Sequence, residues 1–150
     1  MSQSFSDIYV HIVFSTYGRV KCLSPSLAPQ IWKYLAGICH VLNCPALEIG
    51  GTDDHVHILC KLSNDITVQD LVKKLKSSSS KWLKKNSPEI LYFNWQRGYG
   101  AFSVSSSNKG IVASYINNQH HHHRAISFEE ELITLLKKCN IEYDEKYLWD

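Results

Sequence analysis

The spacing of apolar residues changes along the chain, and each spacing predicts a strand or a helix. Residues 8–14 alternate and are rich in β-branched and aromatic side chains, which predicts a first strand. Over residues 27–42 the apolar positions recur every three or four residues, so we expect a helix whose apolar stripe covers a sheet. Two short apolar runs, 45–49 and 55–62, flank a Gly-rich joint and predict a β-hairpin.

The second half of the chain continues this pattern. A second helical stripe runs over residues 68–83 after Thr67, whose hydroxyl is suited to cap the helix. A fourth strand is predicted at 101–105 and a third helix over about 108–121. Ser127, with a glutamate three residues later, forms a capping box that predicts a fourth helix.

The predicted order is β-α-β-β-α-β followed by two helices, which indicates an α+β fold of the ferredoxin-like βαββαβ sandwich type. No stretch rich in Pro, Gly or Ser divides the chain, so we expect one domain over 1–150, with a core of about 7–105 and a C-terminal helical extension of about 106–150. This fold hosts many unrelated functions, so function has to be argued from particular residues.

Composition excludes several classes of protein. Hydrophobic residues make up 44% of the chain and charged residues 20%, as in ordinary globular proteins, which argues against disorder. No apolar stretch approaches the roughly 20 residues that cross a bilayer, so we expect no membrane association. The five cysteines lack disulfide or zinc-type spacing. We interpret them as reduced, mostly buried thiols of a cytoplasmic protein.

Positive charge is concentrated in the middle of the chain. Residues 71–128 contain 9 basic and 1 acidic residues, a net +8, whereas both flanks are acidic. Six lysines on the second predicted helix are either a solvated face or a surface for a phosphate backbone. Arg97 lies among aromatic residues that suit stacking on unpaired bases, although core packing also explains part of them. The predicted nucleic-acid contacts are Lys73, Lys74, Lys76, Lys81, Lys84, Lys85 and Arg97.

His55 and His57 open the predicted third strand. The strand period of two places both imidazoles on one face, where they could chelate one divalent ion. Histidines satisfied within the core are the alternative, since the chain has eight histidines. The alternation would put Asp53 on the same face and turn Asp54 away.

Tyr115 and Gln119 lie four residues apart on one face of the third predicted helix. A tyrosine can attack a phosphodiester, and a divalent ion held by His55, His57 and the Gln119 amide would polarise the site of attack. The alternative is an amphipathic helix with Tyr115 at the core margin. For the run His120 to His123, a polar helix end near the negative pole of the helix dipole is favoured over metal ligation.

Together these segments resemble the single-tyrosine HUH transposases of the insertion-sequence 200/605 group, HUH meaning His-hydrophobic-His. The resemblance covers nearly the whole chain and depends on the order and spacing of several segments. They are the strand 9–14, Asp54-His55-Val56-His57, residues 95–104, Tyr115-Ile116-Asn117-Asn118-Gln119, and the ending 127–132 with Tyr143 and Trp149.

The resemblance implies that His55, His57 and Gln119 hold Mg²⁺ or Mn²⁺ and that Tyr115 attacks single-stranded DNA, leaving a 5′-phosphotyrosine and a free 3′-hydroxyl. It also implies recognition of hairpins near the ends of an insertion sequence, and a homodimer in which the tyrosine helix of one subunit completes the metal site of the other. Two alternatives stay open at this point. They are a domesticated, noncatalytic DNA-hairpin-binding protein, and a ferredoxin-like protein unrelated to DNA whose histidines are core groups.

Overall fold

A four-stranded antiparallel sheet forms the centre of the protein. The structure is a computed structural model that describes residues 2–90 and 92–150. The strands are β1 (Tyr9–Ser15), β2 (Ala46–Gly51), β3 (His55–Lys61) and β4 (Gly100–Val104), in the spatial order β2-β3-β1-β4. β3 and β1 are the central pair, with Val13 opposite His57 and His11 opposite Leu59. With the two helices described next, which follow β1 and β3 in the chain, this confirms the βαββαβ order predicted from the sequence.

Two helices cover one face of the sheet. They are α1 (Ala28–Val41) and α2 (Val68–Asn86), and the Thr67 hydroxyl caps α2 by accepting from the Asp70 backbone N–H at 3.1 Å. The four serines in α2 do not interrupt it. Alternate residues of β1 and β3, such as Ile12 and Ile58, are buried against these helices in the main core.

The opposite face of the sheet carries the C-terminal helices, which are α3 (Lys109–Asn117), α4 (Gln119–His122) and α5 (Phe128–Lys138). The third predicted helix is therefore divided, because Asn118 has non-helical backbone angles between α3 and α4. α3 packs against β2 at Gly50, where a Cβ atom would lie only 2.6 Å from the Ile116 carbonyl oxygen. This close approach is possible because residue 50 has no side chain.

α5 begins as the sequence predicts and is held by a second, smaller core. The Ser127 hydroxyl accepts from the Glu130 backbone N–H at 3.2 Å, as expected of a capping box. Phe128, Leu132 and Leu136 lie on one stripe of α5 and pack against Val13 and Phe102 of the sheet. This contact fixes α5 directly beside the histidines of β1 and β3.

Within residues 2–90 and 92–150, no helix combines the length and apolar character needed to cross a bilayer. The described cysteines are all free thiols, and three of them, Cys39, Cys44 and Cys60, are buried.

Candidate active site

His55 and His57 project from β3 towards the C-terminal helices, on the face opposite α1 and α2. Both side chains are completely buried, and their ring centroids are 5.1 Å apart. The intervening Val56 points to the other face and belongs to the main core. The strand alternation thus brings the two imidazoles together as the sequence predicts.

A turn before β3 orients the His55 ring. Asp54 Oδ1 lies 2.7 Å from His55 Nδ1 and also accepts from the Thr52 hydroxyl at 3.1 Å. The expectation that Asp54 points away is wrong, because β3 begins at His55 and strand alternation does not extend to the turn residue. Burial opposes ionisation, but His55 and Thr52 keep the pKa of Asp54 below its usual value, and an ionised carboxylate can only accept. His55 Nδ1 therefore carries a proton, and the neutral form of the ring presents a lone pair at Nε2 to the site.

His57 contacts a third histidine, which was not predicted from the sequence to belong to the site. His11 of β1 places its Nε2 atom 2.7 Å from His57 Nδ1, and the two rings stack. Burial lowers the pKa of His57 to about 4, despite the opposing influence of Glu131, and burial together with His57 lowers the pKa of His11 to about 3. Both rings are therefore neutral at neutral pH, the state in which an imidazole can ligate a metal.

Glu131 of α5 is the centre of the site, although it was not predicted from the sequence either. Its side chain is buried, and Oε1 lies 2.8 Å from His57 Nε2 and 3.5 Å from His55 Nε2. Burial opposes ionisation, but the adjacent His123 and His57 rings outweigh it and keep the pKa of Glu131 below its usual range. The site therefore contains a buried negative charge.

Tyr115 and Gln119 reach the same carboxylate from the α3–α4 segment. The Tyr115 hydroxyl donates to Glu131 Oε2, which also accepts from Gln119 Nε2 at 3.0 Å. This second bond orients the amide so that Gln119 Oε1 lies 2.8 Å from His55 Nε2. The Tyr115 ring centroid is 5.8 Å from that of His57 in the same chain. The break at Asn118 therefore does not separate these two residues.

The histidine run divides into exposed and enclosed members. His120 and His121 are exposed, as expected of a polar helix end. His123 differs, because its side chain is only 9% exposed and its Nε2 atom lies 3.0 Å from Glu131 Oε1. Burial lowers the pKa of His123, but the Glu131 carboxylate more than compensates and the net shift is upward. For His123, the interpretation as a plain helix end is wrong.

These residues provide nitrogen and oxygen atoms that can act as ligands of a divalent cation. Ligand atoms of His55, His57, His123 and Glu131 all lie within 4.8 Å of one another. The lone pair on His55 Nε2 faces the Gln119 carbonyl oxygen, so two acceptors meet with no proton between them. A cation between these atoms would remove that repulsion.

The predicted lysine contacts lie on the other face of the sheet, because α2 packs with α1 in the main core. Four of the six lysines are exposed and two are half-buried. The exposed ones are Lys73, Lys74, Lys81 and Lys85, and the half-buried ones are Lys76 and Lys84. Arg97 is also exposed, in the segment before β4.

Lys76 differs from the other lysines of α2. Its Nζ atom donates to the carbonyl oxygens of Gln96, Arg97 and Gly98 at 2.8, 3.1 and 2.6 Å, which accounts for all three of its protons. The side chain therefore fastens α2 to the segment before β4, and its ammonium is not free for a phosphate.

A ferredoxin-like sheet with a His-hydrophobic-His pair facing a tyrosine and a glutamine on following helices defines the HUH class of fold and site. The family described as "Transposase IS200 like" matches residues 4–119 of the chain. The chain therefore belongs to the IS200-like transposases, the single-tyrosine HUH family that its sequence resembles.

Solved structures agree with this fold. A chain from Deinococcus radiodurans R1, described as a candidate transposase, is similar with a TM-score of 0.65 and 21% sequence identity, over 79% of this chain and 98% of its own. A REP-associated tyrosine transposase bound to a REP hairpin is similar with a TM-score of 0.60 and 11% identity, over 82% of this chain and 74% of its own. No match was found among curated proteins.

Proposed function

We propose that this transposase cleaves and rejoins single-stranded DNA through a covalent 5′-phosphotyrosine on Tyr115. His55, His57 and Gln119 would hold the Mg²⁺ or Mn²⁺ ion that the reaction needs. The observation that carries the proposal is the shared Glu131 carboxylate, which binds the Tyr115 hydroxyl through one oxygen and His57 Nε2 through the other. The proposed nucleophile and a proposed metal ligand thus contact the same carboxylate group.

The chain itself controls the protonation of the nucleophile. Burial raises the pKa of Tyr115 above its usual value, and the neighbouring Glu131 charge raises it further. The phenol is therefore protonated in the structure and is held ready by its hydrogen bond to Glu131. A bound divalent ion would polarise the scissile phosphate and offset the Glu131 charge that opposes ionisation of the phenol.

The proposed reaction conserves the phosphodiester bond energy. Tyr115 Oη forms a bond to phosphorus, the P–O3′ bond breaks, and the products are a 5′-phosphotyrosine and a free 3′-hydroxyl. The phenolic proton leaves the nucleophile and the departing 3′-oxygen gains one. Attack of a 3′-hydroxyl on the phosphotyrosine reverses these changes and rejoins DNA, so no nucleotide cofactor is needed.

We further propose that end hairpins of an insertion sequence bind through the exposed lysines of α2 and through Arg97. The hairpin bound to the REP-associated relative supports a partner of this kind. Since α2 lies across the sheet from Tyr115, the hairpin stem and the cleaved strand would contact opposite faces of the protein. Lys76 is left out of this surface because backbone carbonyls occupy its ammonium.

Replacing exposed lysines of α2 should weaken hairpin binding and make the binding constant less dependent on salt concentration. Lys74, Lys81 and Lys85 follow one another at helical spacing on α2 and are exposed. In the variant with all three changed to Ala, we expect the slope of log K against log[salt] to fall by about 0.9 per lost phosphate contact, or about 2.7 in total. Fluorescence anisotropy at several salt concentrations measures this slope. The control removes two other exposed lysines, Lys137 and Lys146, and should leave the slope unchanged. Equal slopes in both variants would contradict the assignment of the surface.

A second prediction concerns the subunit that supplies the tyrosine. The family resemblance implies a homodimer with shared sites, but the structure places Tyr115 against the histidines of its own chain. We therefore expect mixtures of the Tyr115→Phe and His57→Ala proteins to stay inactive, because neither chain contains a complete site. Recovery of about a quarter of wild-type cleavage, the share of complete sites in a randomly mixed dimer, would show that the tyrosine acts in the partner's site.

The proposed function is tested by incubating the protein with Mn²⁺ and single-stranded oligonucleotides that carry hairpins from the repeated ends near its gene. We expect a protein–DNA complex that survives denaturation and is absent when a chelator is present. Tight, salt-sensitive and chelator-independent binding without such a complex would instead support the noncatalytic hairpin-binding protein.

A further inference from the structure

His123 is oriented like a metal ligand. Its Nδ1 atom lies 2.9 Å from the Ile126 carbonyl oxygen, which can only accept, so Nδ1 carries a proton and the neutral form of the ring has its lone pair at Nε2. That Nε2 atom is buried and, among the described residues, has no hydrogen bond of acceptable geometry. A ring fixed through Nδ1 to a backbone carbonyl with Nε2 directed into a polar cluster is the usual arrangement of a ligating histidine.

The unpartnered Nε2 atom points at Glu131. It lies 3.0 Å from Glu131 Oε1, the oxygen that is also 2.8 Å from His57 Nε2 and 3.5 Å from His55 Nε2. Three imidazole nitrogens from two parts of the chain therefore surround one carboxylate oxygen. Because Asp54 and Ile126 fix the Nδ1 protons of His55 and His123 on the far side of each ring, the neutral forms of both rings face Glu131 with lone pairs.

We propose that His123 and Glu131 are ligands of the same ion as His55 and His57, and that this set makes the site selective for a transition ion such as Mn²⁺, Co²⁺ or Zn²⁺ over Mg²⁺. The inference rests on the metal site of the proposed function and adds ligands to it. Imidazole nitrogen suits first-row transition ions, whereas Mg²⁺ prefers oxygen ligands in octahedral geometry. A site with three imidazoles and one carboxylate therefore disfavours Mg²⁺.

The additional ligands would also connect the ion to the C-terminal helix. His55 and His57 belong to β3, His123 follows α4, and Glu131 lies in the first turn of α5. Without an ion, α5 is held to the sheet by a small apolar cluster around Phe128, Leu132 and Leu136 and by the hydrogen bond between Glu131 and His57. An ion bound by both parts would cross-link α5 to the sheet, so binding should raise the melting temperature through Glu131.

The test titrates metal-free protein with Co²⁺, Mn²⁺ and Mg²⁺, following Co²⁺ by its visible absorption and the others by calorimetry. We expect Co²⁺ and Mn²⁺ to bind at least about 10-fold more tightly than Mg²⁺, and His123→Ala and Glu131→Gln each to lose about 10- to 100-fold in Co²⁺ affinity. The matched controls are His121→Ala and Glu130→Gln, exposed neighbours that should bind as wild type. Circular dichroism melts should show a metal-dependent rise in wild type that Glu131→Gln lacks.

A second measurement uses the unmodified protein and so does not depend on the folding of a variant. In ¹⁵N-histidine spectra, Zn²⁺ should shift the Nε2 resonances of His55, His57 and His123 and leave that of His121 in place. An unmoved His123 resonance, or wild-type affinity in both ligand variants, would overturn this inference while the site of His55 and His57 stands. Failure of the wild-type protein to bind any of these ions would instead overturn the metal site of the proposed function itself.

Discussion

Changing Tyr115 to Phe should abolish covalent attachment to DNA, with cleavage falling by about three orders of magnitude or more. The change removes the only atom of this side chain that can attack phosphorus, so the covalent route is lost and not merely slowed. The ring keeps its packing position, and Glu131 Oε2 still accepts from Gln119 at 3.0 Å. We therefore expect the variant to fold with a change in stability of about 1 kcal/mol. Denaturing gels with labelled oligonucleotides measure the attachment.

Two comparisons make this result specific. Tyr92→Phe removes the same hydroxyl from a side chain that is 91% exposed and should leave attachment unchanged. Tyr115→Phe itself should still bind metal and hairpin DNA, because the imidazoles and the lysines of α2 are untouched. Attachment that persists in Tyr115→Phe would mean that another residue is the nucleophile.

Changing His57 to Ala should abolish metal-dependent cleavage, again by about 10³-fold, since a metal ion contributes several kcal/mol to stabilising a charged transition state. His57 is completely buried and contacts both His11 and Glu131. Its loss therefore also leaves buried polar groups without a partner, at a cost of about 1–3 kcal/mol each. Calorimetry with Mn²⁺ and cleavage assays on the same preparation separate binding from chemistry.

The control for His57 is His40→Ala. His40 is exposed in the last turn of α1, on the far side of the sheet, and its replacement should alter neither metal binding nor cleavage. A chelator should inactivate the wild-type protein in the same way as His57→Ala, and added Mn²⁺ should restore only the wild type. Metal-dependent cleavage by folded His57→Ala protein would contradict the assignment of this ligand.

Sequence periodicity was sufficient to predict the sheet and the placement of the two histidines. The alternation in β3 puts His55 and His57 on one face and Val56 on the other, because side-chain direction in a strand depends only on local geometry. The caps at Thr67 and Ser127 were also local signals, and both form the expected hydrogen bonds. Tyr115 and Gln119 come together across a helix break that the sequence did not reveal.

Glu131 was missed because its immediate neighbours conceal it. It follows Glu129 and Glu130 in the first turn of α5, where acidic residues are favoured by the helix dipole whatever else they do. A signal was nevertheless present. Glu131 lies three residues after Phe128 and one before Leu132, which places a carboxylate within the apolar stripe of the helix. A buried charge of this kind needs partners, and histidines supply them.

His11 could not be assigned for a different reason. Its contact with His57 depends on the register between β1 and β3, which pairs Val13 with His57 and places His11 one step along the same face. The register between two strands depends on how the strands pack together, so the sequence of one strand alone does not fix it. The contact of Lys76 with the segment before β4 likewise depends on tertiary packing between elements 20 or more residues apart.

The central step of the proposed function is the bonding of DNA to Tyr115, next to the proposed metal ligands of the same chain. The most direct measurement is mass spectrometry of the protein after reaction with a hairpin-bearing single strand and Mn²⁺, followed by nuclease and protease digestion. We predict a nucleotide phosphate on the peptide that contains Tyr115, and none when the metal is chelated. A phosphate on a different residue, or unmodified Tyr115 in protein that has cleaved the strand, would contradict the account.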